Sequence, residues 1–174
     1  MIYGLDEFTT ECRAVLKAAQ PLDRALPMIA ESLARLLADR DFVSATFNPD
    51  DTFARKPLYH DPDTGFHVLA HVHQGPKEGP PHSHGASWAI YGTAFGVTGM
   101  KEWRRINPSS EPAAVLQLAD RYDLATGQTR GYGPDLIHST VHQGKAGVIR
   151  VTGANLDVLP RYRFDKKRDR IATA

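Results

Sequence analysis

The sequence predicts a mainly β fold, a sandwich or a barrel, with α-helices at its N-terminal end. From about residue 50 onward, short apolar runs alternate with turns that are rich in glycine, proline and aspartate. Short strands at regular spacing between such turns are typical of all-β sandwiches and barrels. Before about residue 40, apolar side chains recur mostly at spacings of three and four, which indicates amphipathic helices.

Two helices are predicted in the N-terminal segment. The apolar spacing includes Leu16 in the first stretch and Ile29 and Leu33 in the second. Pro21 separates the two stretches, and Pro27 suits a first helical turn. Because an amphipathic helix must bury its apolar side, we expect both helices to cover one face or end of a sheet.

Six runs of strand type follow the helices, separated by turns that contain glycine, proline or aspartate. The runs cover residues 66–73, 88–97, 115–118, 120–124, 136–141 and 147–152. We therefore predict one domain in three parts: a helical segment over residues 1–45, a barrel over 46–165 and a basic, solvent-exposed tail over 166–174.

The composition narrows the classes of partner and compartment. The chain has 174 residues, with 21 Lys and Arg against 20 Asp and Glu, and this balance favours neither a nucleic acid nor a membrane surface as partner. One cysteine, Cys12, excludes an internal disulfide and favours a reducing compartment. No apolar run approaches the ~20 residues of a membrane span, and the first residues lack a signal-peptide pattern. A cytoplasmic protein is the expectation.

Histidines carry the clearest chemical signal. His82 and His84 stand two residues apart after Pro80 and Pro81, and in a strand such residues point to the same face. A single His-x-His pair is common on protein surfaces, but this one follows a proline turn, and His138 follows a second Gly-Pro turn farther along the chain. We predict that His82, His84 and His138 bind one metal ion.

This pattern resembles the cupin family. The first cupin motif contains His-x-His followed by a glutamate, and the second contains a further histidine after a Pro-x-Gly turn. His82, His84 and His138 occupy the histidine positions, whereas the glutamate position falls on Trp88 or Ala89. The resemblance therefore implies a double-stranded β-helix (a jelly-roll barrel) with a three-histidine metal site and no carboxylate ligand.

Within the cupins, residues 50 to 160 are similar to the cysteine and 3-mercaptopropionate dioxygenases. This resemblance implies a non-haem Fe(II) enzyme that oxidises a small anionic chelating substrate with O2. The resemblance to the cupins, which often dimerise, also implies a homodimer. The family's Ser, His and Tyr on the closing strand correspond to Val148, Arg150 and Thr152 here, so the thiol substrate is left open. A β-diketone-cleaving or other metal-dependent cupin enzyme and a non-catalytic metabolite-binding cupin are the alternatives.

Further candidate residues surround the predicted triad. Arg55 matches the family's arginine segment, and Arg55 and Arg150 could each hold a substrate carboxylate with a guanidinium fork. Trp88 and Tyr91 follow the His-x-His pair and are candidates for substrate contact. His142 is a candidate base, a fourth ligand or an ordinary buried histidine. Imidazole ligands suit several metals; the resemblance favours Fe(II), with Zn, Ni or Mn as alternatives.

Overall fold

A computed structural model describes residues 3–172 of the chain and consists of three helices followed by ten strands. Residues 1, 2, 173 and 174, at the ends of the predicted helical segment and tail, lie outside the described residues. The helices are α1 (Leu5–Lys17), α2 (Leu22–Ala38) and α3 (Arg40–Thr46). The first five strands are β1 (Lys56–His60), β2 (His67–His73), β3 (Lys77–Glu78), β4 (Ala89–Phe95) and β5 (Val97–Arg105). The others are β6 (Val115–Ala125), β7 (Thr129–Tyr132), β8 (Ile137–His142), β9 (Ala146–Thr152) and β10 (Arg170–Ile171).

The strands form two five-stranded sheets that face each other. The first has the order β1-β2-β9-β4-β7 and the second the order β10-β6-β5-β8-β3. Tyr91 and Val148 from the first sheet pack with Met100 and Leu124 from the second in one buried cluster. This cluster is the interior of the barrel, and the mainly β fold class predicted from the sequence is confirmed.

In the first sheet, β4 and β9 are buried on both faces, and β2 is buried on one face. One face carries side chains such as Val68, Ile90 and Ile149, which share a core cluster with the helical residues Ile29 and Leu33. Successive side chains of a strand alternate between faces, so the residues between these positions point into the barrel. The helical layer therefore covers the outer face of this sheet and leaves its inner face for the site.

The helical segment differs in detail from the two helices that the spacing predicts. A third, short helix, α3, follows α2, and its N-terminus is capped by the side chain of Asp39, which accepts a hydrogen bond from the backbone N–H of Phe42. Pro27 lies inside α2 rather than in its first turn. The reason is that α2 already begins at Leu22, because the carbonyl of Pro21 accepts the first hydrogen bonds of the helix.

A buried carboxylate joins α1 to the barrel. Asp61 is fully buried and accepts hydrogen bonds from Arg13 at 2.7 Å and from the backbone and hydroxyl of Thr64 at 2.8 Å each. Burial alone would raise the pKa of Asp61, but these hydrogen bonds outweigh it and hold the pKa well below its usual range. Asp61 thus stays ionised and ties α1 to the connection between β1 and β2.

The C-terminal segment, predicted as a basic, solvent-exposed tail, pairs with the barrel through its backbone, whereas its side chains at residues 166–168, 170 and 171 are exposed. β10 runs parallel to β6, and the buried carboxylate of Asp169 accepts a hydrogen bond from the backbone of Ala114 at 2.8 Å. Earlier in the segment, the backbone of Phe164 donates to Pro81 at 2.9 Å and that of Ser83 donates to Tyr162 at 3.0 Å. Residues 160–164 therefore run beside the His-x-His segment.

No helix within residues 3–172 combines the length and the apolar character that crossing a membrane requires.

Candidate metal centre

The structure brings the three predicted ligands together from two segments. His82 and His84 lie in the extended stretch between β3 and β4, and His138 lies on β8. The backbones of His82 and His138 exchange two hydrogen bonds of 2.9 Å each, which fixes the two segments side by side. One candidate ligand nitrogen from each of the three residues lies within 4.8 Å of the other two. This spacing allows one ion to contact all three imidazoles.

The orientation of the rings leaves their Nε2 atoms available. Nδ1 of His82 lies 3.1 Å from the carbonyl oxygen of Pro80, so a proton on Nδ1 leaves the lone pair on Nε2. The hydroxyl oxygen of Tyr91 lies 3.3 Å from Nε2 of His84 and 3.4 Å from Nε2 of His138. These two nitrogens therefore face the same point in the barrel interior, and the Tyr91 hydroxyl lies beside it.

The electrostatics of the group suit a metal. Burial, together with the neighbouring histidines and Arg150, lowers the pKa of His84 to about 2. Burial likewise lowers the pKa of His138 to about 3, with smaller effects from His82 and Arg150. Because these imidazoles are neutral at physiological pH, their lone pairs are available for coordination. The residues therefore fit a divalent ion of the kind that imidazole binds, such as Fe, Zn, Ni or Cu.

Aromatic side chains support His138 from the barrel interior. The ring of Tyr132 stacks on that of His138 with a centroid distance of 4.9 Å. The Tyr132 hydroxyl contacts that of Tyr122 at 2.8 Å, and Tyr122 donates to Glu102 at 2.6 Å. No sequence motif predicted this group. Alternation along β5 and β6 places Glu102 and Tyr122 on inward-facing positions, but the charged residues of β5 obscure it.

Three arginines lie near the triad, where they line two cavities. Arg161 and Arg163 line a cavity of about 340 Å³ together with His82, Pro80 and Phe164. Arg150 points inward from β9, in register with Tyr91 on β4, and its Nε is buried without a hydrogen-bond partner in the part of the chain that the structure describes. Arg150 is a residue that the sequence predicts for the site, whereas Arg161 and Arg163 were not predicted, because their only signal is their alternate spacing near the end of the barrel.

Three solved structures illustrate what the chain resembles in three dimensions. KdgF from Halomonas sp. is 15% identical over 66% of this chain and 94% of that one, with a TM-score of 0.48. A cupin-2 domain containing protein from Shewanella frigidimarina is 11% identical over 62% and 84%, with a TM-score of 0.44. The DMSP lyase DddQ from Ruegeria pomeroyi is 13% identical over 67% and 54%, with a TM-score of 0.45. Likeness at this level concerns the fold alone.

No family model matches the sequence, and no curated protein matches it.

Two of the predicted substrate residues lie away from the triad. Arg55 is exposed and forms a two-pronged ion pair with Asp157, with both N···O distances at 2.9 Å, at the edge of a cavity of about 320 Å³ that Arg150 also lines. Trp88 packs in the core cluster of the helical layer, and its indole lies against Gly153, where a Cβ would have no room. Trp88 therefore does not face the barrel interior, because it lies on the opposite face of the chain from Tyr91. Its position gives no support to a substrate role.

His142 lies outside the three-histidine group. It is buried, and its ring stacks on that of His73 at a centroid distance of 3.8 Å. Neither of its ring nitrogens has a hydrogen-bond partner among residues 3–172. The catalytic role that the sequence suggests for His142 stays a prediction.

Proposed function

We propose that this chain is a cupin-type non-haem dioxygenase that holds Fe(II) on His82, His84 and His138 and oxidises a small anionic chelating substrate with O2. The observation that carries the proposal is the convergence of three neutral imidazoles, two of them buried, on one point in the barrel, with arginines beside them. Zinc or nickel on the same ligands would support a different reaction, so the identity of the metal is the first quantity to measure.

The ligand set favours an anionic substrate and leaves room for O2. His82, His84 and His138 would hold the ion, and a set of only three protein ligands would leave coordination positions free for a chelating substrate and O2. Because the three histidines are neutral, a bound divalent ion keeps its full +2 charge. Fe(II), when bound, would supply the redox chemistry that O2 requires. The protein supplies the three ligand side chains, the positive charge of the neighbouring arginines and a partly buried site from which water can be excluded.

The chain's own residues have definable roles in such a reaction. The Tyr91 hydroxyl lies within hydrogen-bonding distance of the point that the ligands face, so it can hold a proton at the donor atom of the substrate. The dioxygenases that the sequence resembles carry their tyrosine on the closing strand, where this chain has Thr152. In this chain the phenol at the site is that of Tyr91, which lies on β4 instead of on the closing strand. Arg150, on β9, stabilises negative charge on the bound substrate.

The test begins with the metal content of protein purified without added metal, followed by anaerobic loading with Fe(II). Oxygen uptake is then measured with cysteine, 3-mercaptopropionate and acetylacetone. We expect uptake with a chelating anion, and sulfinate as the product if the substrate is a thiol. His138→Ala should abolish both iron binding and uptake, whereas His60→Ala, at an exposed histidine outside the triad, should change neither. Stoichiometric iron without uptake on any of the three compounds would contradict the proposal for thiols and β-diketones.

A further inference from the structure

Three arginines near the triad form no direct ion pair in the part of the chain that the structure describes. Arg150, Arg161 and Arg163, here named the arginine wall, form no ion pair with any carboxylate within residues 3–172. By contrast, Arg13 pairs with Asp61, and Arg55 pairs with Asp157. The hydrogen bond from Arg55 is the main cause that lowers the pKa of Asp157. The charges of Arg161 and Arg150 also contribute to lowering the pKa of Asp157, but the direct ion pair of this carboxylate is with Arg55. The wall therefore carries more positive charge than this one carboxylate offsets.

Two members of the arginine wall lie against a proposed metal ligand. Arg161 and Arg163 share one cavity with His82, and the chain brings Arg163 into a β-bridge with His82. Arg150 projects from the inner face of β9, where its Nε is buried and unpartnered. Arg150 lines the neighbouring cavity, together with Arg55 and Asp157. One small molecule at the metal can therefore contact Arg161 and Arg163.

Charge balance indicates what such a molecule carries. A divalent ion on three neutral histidines and a singly charged chelating group leave a positive charge at the metal, and the three guanidinium groups add to it. Like charges repel one another. Partly desolvated guanidinium groups are stabilised most by a carboxylate with which they form two parallel hydrogen bonds. A second negative group on the substrate would offset this repulsion, and a singly charged substrate would not.

We propose that the arginine wall binds a second carboxylate of the substrate, so that the substrate is a small dicarboxylate whose other end chelates the metal. This inference rests on the proposed function for the metal site only, and it does not depend on reaction with O2. The cavity of about 340 Å³ beside His82 is at the lower end of the size range of small-molecule sites, which favours a compact molecule. Arg55, held by Asp157, takes no part.

The experiment compares two acids that share one chelating end. Malate and 2-hydroxybutyrate both offer a 2-hydroxy acid to the metal, but only malate carries a second carboxylate. Their affinities for the Ni(II)-loaded protein are measured by isothermal titration calorimetry, which involves no turnover. We expect malate to bind at least tenfold more tightly than 2-hydroxybutyrate. In the Arg161→Gln/Arg163→Gln double variant, malate should lose that advantage, and 2-hydroxybutyrate should stay within about twofold of its original affinity.

Controls separate a binding role from a structural one. Arg104→Gln removes the same charge from an exposed residue on β5 and should leave both affinities unchanged. Nickel content and the thermal unfolding temperature verify that each variant is folded. If the double variant does not retain nickel, Arg163→Gln alone, at an exposed side chain, should still reduce the preference for malate severalfold.

Three results would overturn the inference: equal affinities for the two acids in the unaltered protein, an equal loss of both in the arginine variants, or no measurable binding of malate. A clear preference for malate, together with no oxygen uptake on cysteine, 3-mercaptopropionate or acetylacetone, would instead support the arginine wall and reject the dioxygenase reaction for thiols and β-diketones. Oxygen uptake without a preference for malate would do the reverse.

Discussion

The hydroxyl oxygen of Tyr91 lies 3.3 Å from Nε2 of His84. The contact joins β4 to the segment that carries two of the three candidate ligands, and it places a phenol where the substrate would meet the metal. The tyrosine is buried in the barrel interior, so it is shielded from bulk water. Both features favour a role in proton transfer at the substrate over a role in the packing of the core alone.

We expect Tyr91→Phe to retain the metal and to lower turnover roughly 100-fold or more, because the ring is kept and only the proton-carrying oxygen is lost. Metal content and the oxygen-uptake rate are the two measurements. Tyr59→Phe, on β1 outside the barrel interior, is the matched control and should leave turnover unchanged. Unaltered turnover in Tyr91→Phe would assign the residue to packing.

The second prediction concerns the metal itself. His84→Ala removes a buried ligand and should lower metal affinity by at least roughly 100-fold, since even loss of an outer-shell partner of a ligand costs about 10- to 100-fold. The measurement is the metal content after dialysis against a competing chelator. His60→Ala, at an exposed histidine, should keep the full complement. Retention of metal by His84→Ala would place the site elsewhere.

The third prediction concerns pH and two interior histidines outside the triad. Burial is the main cause that lowers the pKa of His71 to about 3 and that of His73 to about 4. Between about pH 6.5 and these values, the unfolded chain takes up protons that the folded chain does not, so stability falls as the pH falls. Each such histidine contributes up to about 1.4 kcal/mol per pH unit.

Thermal unfolding of the metal-free protein should therefore shift to lower temperature from pH 6.5 to pH 4.5. The His71→Gln/His73→Gln variant should show a shallower dependence over the same range. An unchanged slope in this variant would mean that the two imidazoles are protonated in the folded protein.

The fourth prediction tests the attachment of α1. Asp61→Asn keeps the shape of the side chain but removes the charge that Arg13 and Thr64 contact, and we expect it to cost about 2 to 3 kcal/mol of unfolding free energy. The measurement is chemical denaturation at neutral pH. Asp63→Asn changes a half-exposed carboxylate that pairs with Lys17 and should cost about 0.5 kcal/mol or less. Equal costs for the two variants would contradict the role assigned to Asp61.

The sequence was sufficient where the signal was local. The two-residue spacing of His82 and His84 and the turn before His138 predicted three residues that the fold does bring together. The strand pattern likewise predicted a mainly β fold. These features depend on the alternation of side chains along a strand and on turn-forming residues, both of which can be identified within a short stretch of sequence.

The sequence was insufficient where the signal depends on which segments meet. Arg161 and Arg163 reach the site because residues 160–164 return beside the His-x-His segment, and no local pattern predicts that pairing. The sequence predicts the same role, substrate contact, for Trp88 and Tyr91. In the fold they lie on opposite faces of the chain: Trp88 packs toward the helices and Tyr91 toward the barrel interior. β5 was missed because its charged outward residues obscure the inward alternation of Thr98, Met100 and Glu102.

The pairing of residues 160–164 with residues 81–83 has a thermodynamic consequence. The segment that would hold the substrate's carboxylate also donates and accepts the backbone hydrogen bonds that position His82. An anion that binds residues 160–164 and restricts their motion would stabilise the positions of the metal ligands. A metal ion on the ligands would likewise restrict the motion of residues 160–164. By reciprocity, each ligand must raise the affinity for the other by the same factor. The affinities for the metal and for the anion are then coupled, so release of an anionic product lowers the affinity of the protein for the metal.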